Sequence, residues 1–314
     1  MQKKFSIYKN LAQEYDNNYL LQYKYPNYTS TDLDWIYSLP FTRKIHPKSL
    51  LKMGKFSVVT HRGCIGNCHF CSLSLHQGDK IISRSEENIL EEIRSLTKHP
   101  EFKGYIDDLG GPSANMYGMD CPLSSTCRND CLTCKNLDRT HQKLLSLLRK
   151  TRKIPGVKKI FVRSGIRYDL ALDSEEYIRE IVEHHVSGNL KVAPEHFSKK
   201  VTALMNKDNT RLDEFISVFN RYNKQKKQYL KYYFMIGHPG DSIAETSYLR
   251  EVVRRRKGLS NVEHFQLFTP TPMTVSTCMY WTGMNPFTME KVDTICDYKT
   301  KKQLKRILLD VSQT

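Results

Sequence analysis

The sequence predicts an α/β fold, an open, partial (β/α)6 TIM-like barrel of six parallel strands alternating with helices. From Lys55 onward, short apolar runs of strand length alternate with segments of 3.6-residue apolar period. The residues that close these runs are glycines, thiols and charged side chains, the types a parallel barrel collects at its carboxyl ends. Six strand runs are too few to close an eight-unit barrel, so the wall stays open.

The first strand covers residues 56–60, followed by a cysteine loop and a helix opened by a capping-box pattern, Ser83 to Glu86, with Ile89, Ile93 and Leu96 on one face. The second strand, 105–109, runs into Gly110-Gly111-Pro112, a cysteine-rich insertion at 111–138, and a helix carrying Leu144, Leu145, Leu147 and Leu148. Strand three, 159–163, leads to a helix starting near Asp173 and Glu176 and stopped by Gly188. Strand four, 190–193, precedes a helix with Leu212, Phe215, Ile216, Phe219 and Tyr222 at helical spacing. Strand five, 230–236, precedes one that begins at Asp241 or Ser242 with Glu245 completing a second capping pattern, and strand six is 262–268. The barrel therefore occupies 54–286. A C-terminal helix is expected within 287–314, from about Thr288 to Leu309, and residues 1–53, interrupted by Pro26, Pro40 and Pro47, read as an irregular lead-in, a remnant of an N-terminal domain.

The 314 residues carry 49 Lys and Arg against 33 Asp and Glu, a net charge of +16 that attracts phosphate-rich partners. Lys is used freely along the whole chain, so the same excess fits solvated faces, and charge alone does not establish a nucleic-acid partner. No run approaches the roughly 20 apolar residues of a membrane span, and Met1 to Asn10 lacks the apolar stretch of a secretory signal, so a cytoplasmic protein without a membrane partner is expected. In a reducing compartment, nine cysteines point to metal ligands or free thiols, and seven of them fall into two groups between Cys64 and Cys134.

His61-Arg62-Gly63-Cys64-Ile65-Gly66-Asn67-Cys68-His69-Phe70-Cys71 places three thiols within eight residues, with two glycines for tight curvature. A tetrahedral zinc wants a fourth protein ligand, which His61, His69 or His76 can supply, whereas three thiolates on a 4Fe-4S cluster leave one iron open. Cys121, Cys127, Cys131 and Cys134 form C-x5-C-x3-C-x2-C in the insertion, enough to close a second iron-sulfur cluster or a zinc site, or to serve as redox-active thiols. Cys278 and Cys296 stand alone and read as structural.

The first run resembles the radical S-adenosylmethionine (SAM) superfamily, in which such a motif with an aromatic at the Phe70 position follows the first strand. The chain is similar more narrowly to the YgiQ-like family. That likeness rests on Ser83-Arg84-Ser85-Glu86, Asp108-Leu109-Gly110-Gly111-Pro112, Ser164-Gly165-Ile166-Arg167-Tyr168-Asp169-Leu170, Lys191-Val192-Ala193-Pro194-Glu195-His196, Gly237-His238-Pro239-Gly240 and Tyr280-Trp281-Thr282-Gly283-Met284-Asn285-Pro286. The resemblance implies an enzyme that cleaves SAM reductively with a 4Fe-4S cluster on Cys64, Cys68 and Cys71, generating a 5′-deoxyadenosyl radical that acts on an unidentified substrate. It also implies an electron donor such as flavodoxin or ferredoxin. Phe70 should lie near the adenine, the backbone at Gly110 and Gly111 against the methionine end, Arg163 and Arg167 against its carboxylate, and Glu195 against the ribose, with Ser164 and Gly237 completing the cofactor-binding set. Pro112 stands where many members of the superfamily have Glu. The alternatives are a zinc-stabilised basic nucleic-acid-binding protein and a radical enzyme modifying RNA.

Overall fold

The lead-in is folded where irregular chain is expected. Strands β1 (Asn10–Tyr15) and β2 (Asn18–Tyr23) pair antiparallel around a two-residue turn, with Asp16 at φ 49, a conformation Asp tolerates well. Every β2 residue is exposed, and a strand without a buried face has no reason to alternate apolar and polar residues, which is why no strand period shows in the sequence. Helix α1 (Ser30–Tyr37) follows a capping box between Thr29 and Asp32. It is pinned to the barrel. The Arg84 guanidinium lies 4.3 Å from the Tyr37 ring centroid, and the Arg62 guanidinium donates to the Tyr37 hydroxyl at 2.7 Å. The computed structural model describes residues 10–23, 28–50, 54–123, 127, 130–256, 259 and 262–309; the first nine residues and the last five of the predicted C-terminal segment lie outside them.

Strand β3 (Ser57–Val59) is followed by β4 (His61–Arg62), a loop containing the short helix α2 (Leu73–Gln77), β5 (Ile82–Ser83) and α3 (Glu86–Thr97). β4 and β5 pair antiparallel and clasp the base of the cysteine loop. Because Ser83 belongs to β5, the predicted cap shifts by two residues: the Ser85 side chain accepts from the Asn88 N–H and opens α3. The second strand is split at Asp107 into β6 (Tyr105–Ile106) and β7 (Asp108–Gly110), followed by α4 (Gln142–Arg152) and β8 (Lys159–Ile160). β7 pairs in parallel with β3 and β6 with β8, so one split strand serves both neighbours.

Two short helices, α5 (Tyr168–Ala171) and α6 (Glu175–Glu180), follow, the latter continued by a π turn at Ile181–His185. Then come β9 (Asn189–Glu195), α7 (Lys199–Met205), α8 (Leu212–Asn223), β10 (Tyr229–Ile236), α9 (Ile243–Arg255) and β11 (Val262–Leu267). β9, β10 and β11 form a continuous parallel sheet in sequence order. All six strands of the predicted partial barrel are therefore present and neighbours in chain order. Between strands three and four the regular ladder gives way to single bonds, Val162 N–H to His185 O at 3.0 Å and Ile166 N–H to Lys191 O at 3.4 Å.

Along β9 and β10 burial alternates. Leu190, Val192, Leu230, Tyr232 and Phe234 join Phe215, Phe219 and Leu249 in the main core, which puts Lys191, Glu195, Lys231 and Tyr233 on the opposite, inner face, as the period of a strand requires. The predicted terminal helix starts ten residues late. Residues 284–292 form a turn, with Met284 bridged to Lys291, and Asp297 then accepts from the Thr300 N–H at 2.7 Å ahead of α11 (Tyr298–Leu309). Before that turn lies α10 (Val275–Thr282), an eight-residue helix too short to announce itself by period.

Candidate functional site

The cysteine loop is shaped by two glycines and tied to distant elements. Gly63, at φ +89, has the Lys80 carbonyl oxygen 1.8 Å from where a Cβ would stand, so no other residue fits that turn. At Gly66 a Cβ would lie 2.7 Å from Arg167 Nη1 and 3.3 Å from Cys64 Sγ; its absence lets a cation and a thiol meet the backbone together. The His69 N–H donates to the Met205 carbonyl at 2.9 Å, His69 Nδ1 lies 2.9 Å from Leu204 O, and the Ser276 N–H donates to the His69 carbonyl at 3.0 Å. The ends of α7 and α10 thus hold the loop from the far side of the barrel.

Cys64, Cys68 and Cys71 are all partly buried and unbonded to one another. Burial pushes the Cys64 and Cys71 thiols up, and each feels Cys68, so the three sulfurs face a common space. Arg167 enters that space. Its side chain is 6% exposed, pairs with Asp169, and brings Nη1 to 3.7 Å from Cys68 Sγ. Asn115 fixes its backbone, accepting from the Arg167 N–H and donating to its carbonyl, both at 2.9 Å. Against the pull of burial, Arg167 holds the Asp169 carboxyl below its usual value.

Glu195 closes β9 at φ 68, a left-handed conformation that costs a non-glycine residue roughly 1–3 kcal/mol. Burial raises its pKa, opposed by Lys207 and then Arg167, and its charge also reaches Cys71. Lys207 is the residue that sequence reasoning missed. It is 9% exposed, its Nζ lies 5.9 Å from the Tyr168 ring centroid, and it acts on Cys64, Asp169 and Glu195. Nothing in its neighbourhood resembles a motif; it arrives there because Asn206, at φ 50, ends α7 in a left-handed cap and turns the chain inward.

The other expected residues separate into two groups. Beside the loop, the missing side chains of the glycine pair make room for protein: Ser164 Oγ and Ala114 Cβ lie 3.1 and 3.2 Å from a Gly110 Cβ position, and the His61 ring 2.5 Å from that of Gly111. Burial keeps His61 neutral, its pKa down to about 3. Asp108 accepts from the Arg163 N–H at 2.6 Å and from the N–H and hydroxyl of Ser164. The Arg163 guanidinium sits 4.9 Å from the Phe161 ring centroid and 3.9 Å from Asp107, so it has strand-end partners of its own.

Farther round, Phe70 packs with Val201, Met205, Met235 and Phe268 and meets His238 edge-on at 6.3 Å. Gly237, at φ +70, donates its N–H to Asp241 at 2.6 Å. His238 Nε2 lies 2.6 Å from Ser276 Oγ and Nδ1 2.8 Å from the Pro239 carbonyl.

In the second set, Cys121, Cys131 and Cys134 pack against Ile65, Ile81, Met116, Met119, Leu137 and Leu170, the same apolar cluster that receives Cys64. Lys80 Nζ donates to Cys131 Sγ at 3.2 Å. Among the described residues no three His, Cys, Asp or Glu side chains converge where a single metal ion would sit. His69 is engaged by a carbonyl and His76 is exposed, so neither is drawn in as a fourth zinc ligand. Cys278 and Cys296, expected to be structural, are exposed. No helix among the described residues is long and apolar enough to cross a membrane.

The family model described as the radical SAM superfamily matches residues 58–253, and a domain of unknown function, DUF3362, matches 263–313. A UPF0313 protein of Methanosarcina mazei is 46% identical over 296 residues, which cover 90% of this chain and 47% of that protein. UPF0313 proteins of Methanocaldococcus jannaschii and Fusobacterium nucleatum are 44% and 41% identical, covering 98% and 96% of this chain and 53% and 57% of theirs. The chain spans about half the length of these curated relatives. Among solved structures, the radical SAM methyltransferase TsrM from Kitasatospora setae is 14% identical with a TM-score of 0.47, covering 76% of this chain and 41% of that one. Coproporphyrinogen III oxidase from Escherichia coli is 15% identical with a TM-score of 0.46, covering 88% and 58%.

Proposed function

The chain belongs to the radical SAM superfamily, and from that premise we propose that it is an enzyme that holds a 4Fe-4S cluster on Cys64, Cys68 and Cys71 and cleaves SAM reductively. The observation that carries this reading is the chamber itself. Three thiols on a glycine-permitted loop share it with a buried cation, Arg167, a second cation, Lys207, and a carboxylate, Glu195. The donor set fits the group: the thiols are not gathered about one ion-sized point with a fourth protein donor, as a structural zinc would require, while each thiolate of a cluster binds its own iron. When bound, the cluster supplies one electron to the sulfonium of SAM, releasing methionine and a 5′-deoxyadenosyl radical.

The chain's own residues bind and orient. Arg167 and Lys207 offer positive charge to the carboxylate of the methionine end, Glu195 offers acceptor oxygens to ribose hydroxyls, and Phe70 offers an aromatic face to the adenine. Backbone at Gly110 and Gly111 lines the approach on the opposite side, with Ser164 positioned by Asp108. Arg163 and Gly237 act as supports for their strand ends. Fully buried Ile65 and Leu109 keep water from the base of the chamber. Electrons come from an external one-electron donor of the flavodoxin or ferredoxin kind, in a reducing compartment.

The test is anaerobic purification and cluster reconstitution, analysis of iron, sulfide and zinc, and a dithionite assay for 5′-deoxyadenosine from SAM. Iron and sulfide should be incorporated, and product formation should vanish in Cys68→Ala. Stoichiometric zinc in place of iron on the first three thiols, or product formation indifferent to that substitution, would contradict the reading.

A further inference from the structure

We infer that Cys121, Cys127, Cys131 and Cys134 bind a second iron-sulfur cluster, coupled to the first cysteine loop through Lys80. This inference rests on the preceding one only for the identity of the neighbouring centre, because the second site has its own four thiols.

Two independent observations place the sites together. Cys64 and the trio Cys121, Cys131 and Cys134 pack on opposite parts of one apolar cluster of six side chains, Ile65, Ile81, Met116, Met119, Leu137 and Leu170. A single layer of side chains therefore separates them. Lys80 then joins the two through both its halves. Its carbonyl oxygen lies 1.8 Å from the Cβ position of Gly63, directly under the turn that carries Cys64, while its ammonium donates to Cys131 Sγ at 3.2 Å and also acts on Cys127.

The choice of cluster over zinc follows from how the thiols are held. Four ligands of one tetrahedral zinc point at a common centre at about 2.3 Å, and the described residues show no such convergence. The cysteines are instead spread over the apolar patch, Cys134 following Cys131 through a turn closed by the Cys134 N–H to Cys131 O bond at 3.3 Å. Ligands of a cluster bind separate irons and need that spread. Hydrogen bonds to ligand sulfurs raise the reduction potential of a cluster, and the Lys80 ammonium provides a charged one. Arg139 Nη2 donates to the Cys134 carbonyl at 2.9 Å, which fixes the far end of the set.

Reconstituted full-length protein should contain about eight iron and eight sulfide per chain, four for each 4Fe-4S cluster. Cys64→Ser/Cys68→Ser/Cys71→Ser and Cys121→Ser/Cys131→Ser should each retain about four, with different electron paramagnetic resonance spectra. If the second variant does not fold, the first still decides by keeping or losing its iron. Lys80→Met should lower the potential of the second centre so that its reduced fraction at fixed potential falls about tenfold, ~59 mV for one electron, while Lys80→Arg restores it. Wild-type protein with only about four iron, all lost with the first three cysteines, would overturn the inference and leave the proposed function standing. One zinc per chain that disappears in Cys121→Ser/Cys131→Ser would overturn it too. Iron that survives only in the first-site variant would support it and sink the proposed function.

Discussion

The cysteine loop after β3 and the Gly237-His238-Pro239-Gly240-Asp241 loop after β10 look alike on paper: both close a parallel strand, and both are rich in glycine and histidine. In the folded protein they are opposites. The second loop satisfies itself. Asp241, 1% exposed, accepts from the N–H groups of Gly237 and Ser242 and from the Thr246 hydroxyl, and both nitrogens of His238 have partners. The first leaves its chemistry facing inward, with three thiols, Arg167, Lys207 and Glu195 acting on one another across a chamber. A strand end becomes a site only when its polar groups are not already consumed by each other.

The largest expected effect lies on the chamber side. Arg167→Ala leaves the Asp169 carboxylate half-buried without its cation, which should cost about 3–5 kcal/mol of stability in a denaturant titration; a loss under ~1 kcal/mol would show that the pair is as weak as a surface bridge. On the self-satisfied side, Ser276→Ala removes the partner of the fully buried His238 Nε2 and should cost about 1–3 kcal/mol while leaving 5′-deoxyadenosine formation per folded molecule intact. Reduced turnover at unchanged stability would place this loop in the chemistry and erase the contrast.

A third test uses pH. Burial holds His196 and His238 neutral, with pKa values down to about 4 and about 3, whereas unfolded histidines take up protons below about 6.5. Stability should therefore fall as pH drops through the window from 6.5 to 4. Burial raises Asp241 from 3.8 to about 6, so the folded protein takes that proton first and Asp241 works in the opposite direction between pH 6 and 4. Two protons against one leave a net loss of about 1.4 kcal/mol per pH unit from this loop. His196→Gln should flatten the slope of unfolding free energy against pH by that amount, and an unchanged slope would mean His196 is not held neutral. The smallest effect is expected for Arg163→Ala, whose partners are a stacked ring on its own strand and a carboxylate 3.9 Å away; a stability change within about 1 kcal/mol and near-normal SAM binding should follow.

The contrast also explains what the sequence could and could not show. The cysteine spacing, the strand-end glycines and the helices with a wide apolar stripe were legible because each is a local pattern imposed by one geometry. Arg163 and Arg167 were not separable, since both are basic residues four apart near a strand end; only burial and the Asn115 clamp single out Arg167. Lys207 was invisible because its role comes from a left-handed cap that aims a surface residue type inward. The hairpin β1–β2 lacked alternation for want of a buried face, and the C-terminal helix was drawn too early because the turn at 284–292 has the composition of a frayed helix start.

The central claim is that Cys64, Cys68 and Cys71 leave one corner of their cluster for SAM. Electron paramagnetic resonance of the dithionite-reduced protein, in a variant lacking Cys121 and Cys131, isolates that centre. Adding SAM should change its g values, because a new ligand enters at one iron. A spectrum indifferent to SAM would mean that the fourth corner is already filled by the protein, and the account would fail there.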